Sequence, residues 1–517
     1  MEVDEKALGA IVLDPPQPQD LKVRRTAVVT NPGGNNTENG DHALGQEIFL
    51  DAEEIPTNWS PRKKWPPTLV VVLMTTQIGF CASMHTAAID DVAVYFNCSN
   101  TVSTLGVTTF FIGFATGPLI FAPLSEVLGR NPVYNVTLFA FLVFNLGCAL
   151  APNVAALLMF RFLAAFFGSP TVTNAGGSIT DMWAPHERSV PMALFTAASF
   201  LGPVIAPIVG GFVSQYTTWR WNYWIIVILA SLILLSQLLL LPETYTTKLL
   251  QTKALRAGLP PTHQSLSDLY TATLRRPLIM LCTEPILLAL STYMALVFGI
   301  LFIDFTAYPL IFTSTRAWSP ATSGLAFLGI GLGMALATAS SPYLNRLHAH
   351  YVAKLQDDNG NDGSGSGSGG GAVRHVVPEA RLPHLVPLSW CIPAGLFWFG
   401  WTALPPTAWI WPILAGVPFG IGFVTLMLGI MSYLTDCYGR FAASALAANA
   451  VLRATFGATF PLFARGMYER LGTPWASSVL GFCSLAMAPM PWVFWRWGPW
   501  LRERSKFHRR MMEGGSG

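Results

Sequence analysis

The most constraining feature of this 517-residue chain is a succession of apolar stretches, each about long enough to cross a bilayer. A helix needs roughly 20 predominantly apolar residues to span the hydrocarbon core. Twelve such stretches are read at about 67–88, 103–123, 132–151, 154–176, 190–213, 222–242, 279–304, 321–343, 386–404, 408–432, 442–464 and 474–496. Composition agrees: only 11% of residues are charged, too few to cover a water-facing surface of this length. The expected class is an all-α membrane protein of two six-helix bundles.

Charge placement supplies the orientation. Of the 31 Lys and Arg, only Arg220, Arg316, Arg465 and Arg470 fall in segments this layout puts outside, and Arg161 and Arg453 fall within spans. The rest collect on the side of the termini, which the positive-inside rule makes cytosolic. A missed helix would reverse the bias. The start of the chain is polar and acidic, so no signal peptide is expected and insertion falls to the first span.

The layout divides the chain into a disordered cytosolic N-terminal tail (1–66), a first bundle (67–242), a central cytosolic loop (243–278), a second bundle (279–498) and a basic cytosolic tail (499–517). The second bundle carries a cytosolic loop (344–385) with a Gly/Ser tract, a flexible linker without binding chemistry. The 7 cysteines form no CxxC pair and no metal-ligand spacing, so neither metal nor cofactor is expected, and Cys98 and Cys148 are taken as separate packing residues. The charge pattern is a membrane pattern rather than a nucleic-acid footprint. HExxH, GxSxG and Gly-rich nucleotide loops are absent, which excludes the commoner enzyme readings and ATP-driven pumping.

Several stretches resemble the major facilitator superfamily, specifically its fungal drug:proton antiporters with twelve spans. GPLIFAPLSEVLGRNPVY (Gly117–Tyr134) resembles motif A, a tight cytosolic turn with a Glu126/Arg130 charge pair and glycines at Gly117 and Gly129. RFLAAFFGSPTVTNAGGSITDMW (Arg161–Trp183) resembles motif B. SFLGPVIAPIVGG (Ser199–Gly211) resembles motif C, with Gly202, Pro203, Gly210 and Gly211, and motif C marks antiporters. WRWNYW, LPETY and PEARLP follow in the family's order. The resemblance implies a proton-coupled exporter of a small hydrophobic or cationic compound, such as an antifungal drug, toxin or metabolite. It also implies a monomer in the plasma membrane, with vacuolar relatives. A proton-coupled importer and a non-transporting nutrient sensor are the alternatives on the same fold.

Ionisable groups inside spans are costly and mark candidate sites. Arg161 has two readings: a proton-coupling group, which motif B favours, or a structural cation held by backbone carbonyls. Gln77, Cys81 and His85 share a helix face expected to line the central cavity, and His85 titrates nearest neutrality. Asp304, taken to lie near the outer end of its span, is a proton site or the surface partner of Arg316. Glu284 is expected to snorkel to the cytosolic boundary, and Asp90 and Asp91 to meet solvent. Arg453 either contacts an anionic or carbonyl-rich substrate or ties its span to a polar neighbour. Asn174, Tyr293, Trp401 and Asn449 complete the cavity candidates. Asn97 begins a sequon in the first outer loop.

Overall fold

The structure is a computed structural model that describes residues 50–184, 187–257, 266–341, 343 and 378–503. Most of the N-terminal tail, most of the Gly/Ser loop and most of the basic tail lie outside the described residues. Among the described residues there is no strand. That outcome follows from the solvent: in lipid each backbone group must be satisfied within the chain, and helices do this segment by segment.

The spans are α1 (Pro61–Tyr95), α2 (Asn100–Leu128), α3 (Arg130–Ala149), α4 (Val154–Met182), α5 (Val190–Tyr216) and α6 (Arg220–Leu240). They continue with α7 (Pro285–Arg316), α8 (Pro320–Ser341), α9 (Leu385–Thr402) and α10 (Ile410–Tyr438). The last helical stretch, Ala442–Arg502, has 61 residues. At about 1.5 Å per residue it would be three bilayers long. It turns back at Gly472, whose φ of 74° leaves the helical region, and so divides into α11 (442–471) and α12 (473–502). Twelve spans result.

One boundary differs with consequence. The seventh span begins at Pro285 and ends at Arg316, because Leu266–Thr283 forms its own helix and a proline suits a helix start. Asp304 thereby moves from the end of a span to 12 residues inside it. Glu284 does not snorkel: it is buried, and its Oε2 accepts from Tyr438 Oη at 3.3 Å. On the cytosolic side Lys253, in the helix Thr246–Arg256, ties back to Asp51 and Glu54 at 2.9 and 2.7 Å. Hydrogen bonds from Lys253 hold both carboxyls below their ordinary range.

The two halves repeat one packing device. On α2, a Cβ at Gly113 or Gly117 would lie 2.2 Å from Phe162 O or 2.1 Å from Ser169 Oγ, so α2 and α4 touch backbone to backbone. On α8, a Cβ at Gly329 or Gly333 would lie 1.8 Å from Ile413 O or 2.2 Å from Val417 O of α10. Spans two and four of one half thus correspond to spans eight and ten of the other. Small residues at fourth positions are the means by which helices associate where no hydrophobic drive separates protein from solvent.

Candidate functional site

Two hydrogen bonds and an ion pair join the two bundles toward the outer face. Thr108 Oγ1 of α2 donates to Ala458 O of α11 at 2.7 Å. Gln215 Oε1 of α5 accepts from Ala321 N of α8 at 3.0 Å. Arg465 Nη1 meets Asp90 Oδ1 at 2.6 Å, while its Nε meets Glu469 at 2.8 Å. Asp90 is therefore half of a latch between bundles rather than a merely solvated acid. Motif C packs α5 on α1 within the first bundle, where a Cβ at Gly202 would lie 2.6 Å from Thr76 O, and on α8 across the seam, where one at Gly211 would lie 2.5 Å from Pro320 O. Pro203 packs its ring on Gly79, and Gly210 faces Ala87. Beneath the latch, Phe111 of α2 sits edge-on to Phe298 and Phe302 of α7 at centroid distances of 5.8 and 4.5 Å. The molecule is closed outward by a latch above an aromatic plug.

Motif A is built differently from the expected pair. Arg130 Nε bonds Asp181 Oδ2 of α4 at 2.7 Å, and Glu126 is exposed. Gly129, at φ 98°, makes the turn that starts α3 at Arg130. Glu243 lies over that start, accepting from Arg130 N at 3.2 Å and Asn131 N at 3.1 Å. A carboxylate at the free N–H groups of a helix start is a favourable cap. Glu243 belongs to LPETY, visible in sequence as an echo but without a role.

The first bundle encloses a polar node. Arg161 is fully buried. It donates to Gly106 O at 3.0 Å, Cys81 O at 2.9 Å and Ala82 O at 3.4 Å, and lies 4.6 Å from the Phe110 ring centre. The carbonyls of residues 81 and 82 are free because the α-helix Pro61–Met84 gives way to a 3-10 turn over His85–Ala88. Arg161 thus caps a break in α1, supplying donors and positive charge where a helix end lacks both. Among the described residues no carboxylate lies within ion-pair distance of it. Of the two readings of Arg161, the carbonyl-held cation is the geometry observed.

His85 completes the node: Nδ1 meets Tyr223 Oη at 2.7 Å and Nε2 meets Ser103 O at 2.8 Å. The carbonyl requires a proton on Nε2, which leaves Nδ1 to accept from the tyrosine in the neutral tautomer. Cys81 Sγ faces Asn145 Oδ1 at 3.4 Å, and Gln77 Nε2 donates to Ile226 O at 3.2 Å. The Gln77–Cys81–His85 face therefore looks into its own bundle, at α3, α4 and α6, not into the central space. Spacing alone shows that the three share a face; only the neighbours fix which way it points.

The second bundle is less satisfied. Asp304 is 2% exposed, forms no hydrogen bond or ion pair with a described residue, and is one turn from Tyr308. Arg316 is not its partner, because that guanidinium is spent on the carbonyls of Thr402, Ala403 and Thr407. Tyr293 is buried with an unpartnered hydroxyl. Asn449 donates to Ser291 Oγ at 3.1 Å, and its Oδ1 lacks a donor. Arg453 rests on the Phe298 ring at 5.5 Å with an unpartnered Nε. Asn174, at a break in α4, is buried with an unpartnered Nδ2. Trp401 is 62% exposed beside Trp475 at the outer end of α9. It belongs to the aromatic belt, not to a cavity. Asn97 is exposed in the outer loop, at φ 51°, and Cys98 and Cys148 are free thiols.

The Major Facilitator Superfamily sequence profile matches residues 71–461. The chain belongs to the Major Facilitator Superfamily. Similar curated proteins are fungal. The Major facilitator superfamily multidrug transporter mdrA of Aspergillus fumigatus is 41% identical over 464 residues, 87% of this chain and 74% of that protein. The MFS-type efflux pump MFS2 of Trichophyton rubrum is 40% identical over 92% of this chain and 78% of its own length. The citrinin biosynthesis cluster MFS transporter mrr1 of Monascus ruber is 36% identical over 93% and 98%. Among solved structures, the superfamily's proton:xylose symporter XylE superposes with a TM-score of 0.58 at 15% identity, over 84% of this chain and 96% of that one. That likeness is one of fold. With superfamily membership, the protein is a multi-pass membrane transporter.

Proposed function

We propose that this chain exports a small hydrophobic compound in exchange for protons, and that Asp304 carries the proton. The observation that carries the reading is Asp304 itself. An ionised carboxylate buried in a span without a hydrogen-bond donor costs several kcal/mol, roughly. The neutral, protonated acid suits the outward-closed arrangement, and its neighbours Tyr308 and Tyr468 bring no compensating cation. Rocking the bundles apart at the Asp90–Arg465 latch opens the outer side, where the acid takes its proton. Closing the outer side and opening the cytosolic side lets the acid release that proton inward, and substrate then enters from the cytosolic side between the bundles, as in alternating access. The names of the fungal relatives, efflux pumps and metabolite-cluster transporters, support the outward direction, and motif C supports antiport. Arg161 and His85 act as positioning residues that hold the bend in α1. Function as a monomer in the plasma membrane is part of the same proposal.

The test is accumulation of Nile red, a neutral hydrophobic dye, in cells expressing the chain, with and without a protonophore. Export predicts lower accumulation, restored by the protonophore and by Asp304→Asn. Lower accumulation that survives the protonophore would contradict proton coupling. Accumulation raised above that of control cells would instead favour the importer reading.

A further inference from the structure

Two arginines lie inside the bilayer, and their surroundings are opposite. Arg161 has its charge spread over three carbonyls. Arg453, on α11, has none: among the described residues it makes no hydrogen bond and no ion pair, its Nε is shut off from any partner, and the side chain keeps partial exposure. A cation at mid-membrane costs about 2.5–3.5 kcal/mol by insertion scales, so an unused guanidinium is a strong sign of a missing anion.

The register between α2 and α11 locates it. Going inward from the latch, Thr108 pairs with Ala458, and the Phe111 ring lies 3.3 Å from where a Cβ at Gly457 would stand. Arg453 is the next turn of α11, directly on the cytosolic side of the plug formed by Phe111, Phe298 and Phe302. Its guanidinium lies over Phe298 of α7. One turn further inward, Asn449 offers an acceptor without a donor. The seam between α2, α7 and α11 thus brings together an unpaired planar cation, aromatic rings and a spare acceptor.

We infer that Arg453 is the substrate anchor and that the exported compound is a flat, apolar organic anion, a carboxylate held by the guanidinium fork against the Phe298 ring. The inference rests on the export reading and narrows it, turning the choice between cationic and other hydrophobic substrates toward the anionic class. Carboxylate and guanidinium match in a bidentate geometry that an ammonium does not reproduce. The aromatic plug supplies the flat surface for the body, and Asn449 Oδ1 receives a hydroxyl when the compound carries one.

The experiment is equilibrium binding to the purified full chain in phosphatidylcholine nanodiscs, using 2-naphthoate, its neutral isostere 2-naphthamide and the cation 2-naphthylmethylammonium. The wild type is expected to prefer the carboxylate by about tenfold or more over the amide, and further over the ammonium. Arg453→Gln is expected to lose that preference while amide binding stays within about twofold, which also reports that it is folded. Arg453→Lys is expected to keep only part of the preference. Equal binding of carboxylate and amide by the wild type would overturn the inference, as would no saturable carboxylate binding or an unchanged preference in either variant. Loss of naphthoate binding on adding phosphatidylserine would assign the anion to a lipid headgroup and overturn it too. Because binding needs no gradient, its failure is separable from failure of proton-driven export.

Discussion

Replacing each intramembrane arginine by methionine should have opposite effects on stability. Arg161→Met removes a buried cation with three carbonyl partners at 2.9–3.4 Å and leaves two of those carbonyls orphaned at the break in α1. Each hydrogen bond to a charged group contributes roughly 1.5–3 kcal/mol. Each buried carbonyl left without its donor costs about 1–3 kcal/mol, so the two orphaned at the break cost roughly 2–6 kcal/mol together. For a unit the size of one bundle, that lowers the thermal midpoint by about 10 °C. Arg453→Met removes a cation that satisfies nothing, so the midpoint should hold or rise. The assay is thermal unfolding of the purified chain followed by size-exclusion chromatography and tryptophan fluorescence. A wild-type midpoint for Arg161→Met, or an equal fall for both variants, would refute the assignment of Arg161 to structure and Arg453 to ligand.

Other consequences are direct. Glu243→Gln weakens the cap over the start of α3, at a cost of about 0.5–2 kcal/mol, seen as faster hydrogen exchange at residues 130–134; unchanged exchange there would deny the cap. Gly113→Leu forces a side chain into Phe162 O and should abolish a folded, monodisperse protein, whereas Gly466→Ala, with nothing within 4 Å of a new Cβ, should leave it intact. Arg465→Glu sets like charges against Asp90 and Glu469 and should open the outer face. A cysteine at Thr108 would then react faster with an impermeant maleimide, and an unaltered rate would deny the latch.

Much of the fold could be read from sequence because lipid imposes one rule on every span, and the charge bias checked the count. Gly117 and motif C were visible for the same reason, because close helix approach demands small residues at fixed spacing, and Gly129 because a turn at φ 98° favours glycine. What could not be read depends on partners distant in sequence. Arg161 and Arg453 look alike in a hydropathy plot, and they differ only because a bend at His85 frees carbonyls near one of them. Asp304 was misplaced because the seventh span starts at Pro285 and not at 279. Arg130 took Asp181, 51 residues away, over Glu126, four residues away. Trp401 gave no sign of which side of α9 it occupied. Glu243 and Tyr223 lay in recognisable motifs, but their tasks appear only with α3 and His85 beside them.

The most direct test of proton-driven export is made in proteoliposomes. An imposed pH gradient, acidic on the side of the outer face, should drive movement of a bound compound through the wild type. Asp304→Asn should still exchange labelled for unlabelled compound across the membrane and should no longer respond to the gradient. Gradient-driven movement by Asp304→Asn at the wild-type rate would contradict Asp304 as the proton carrier.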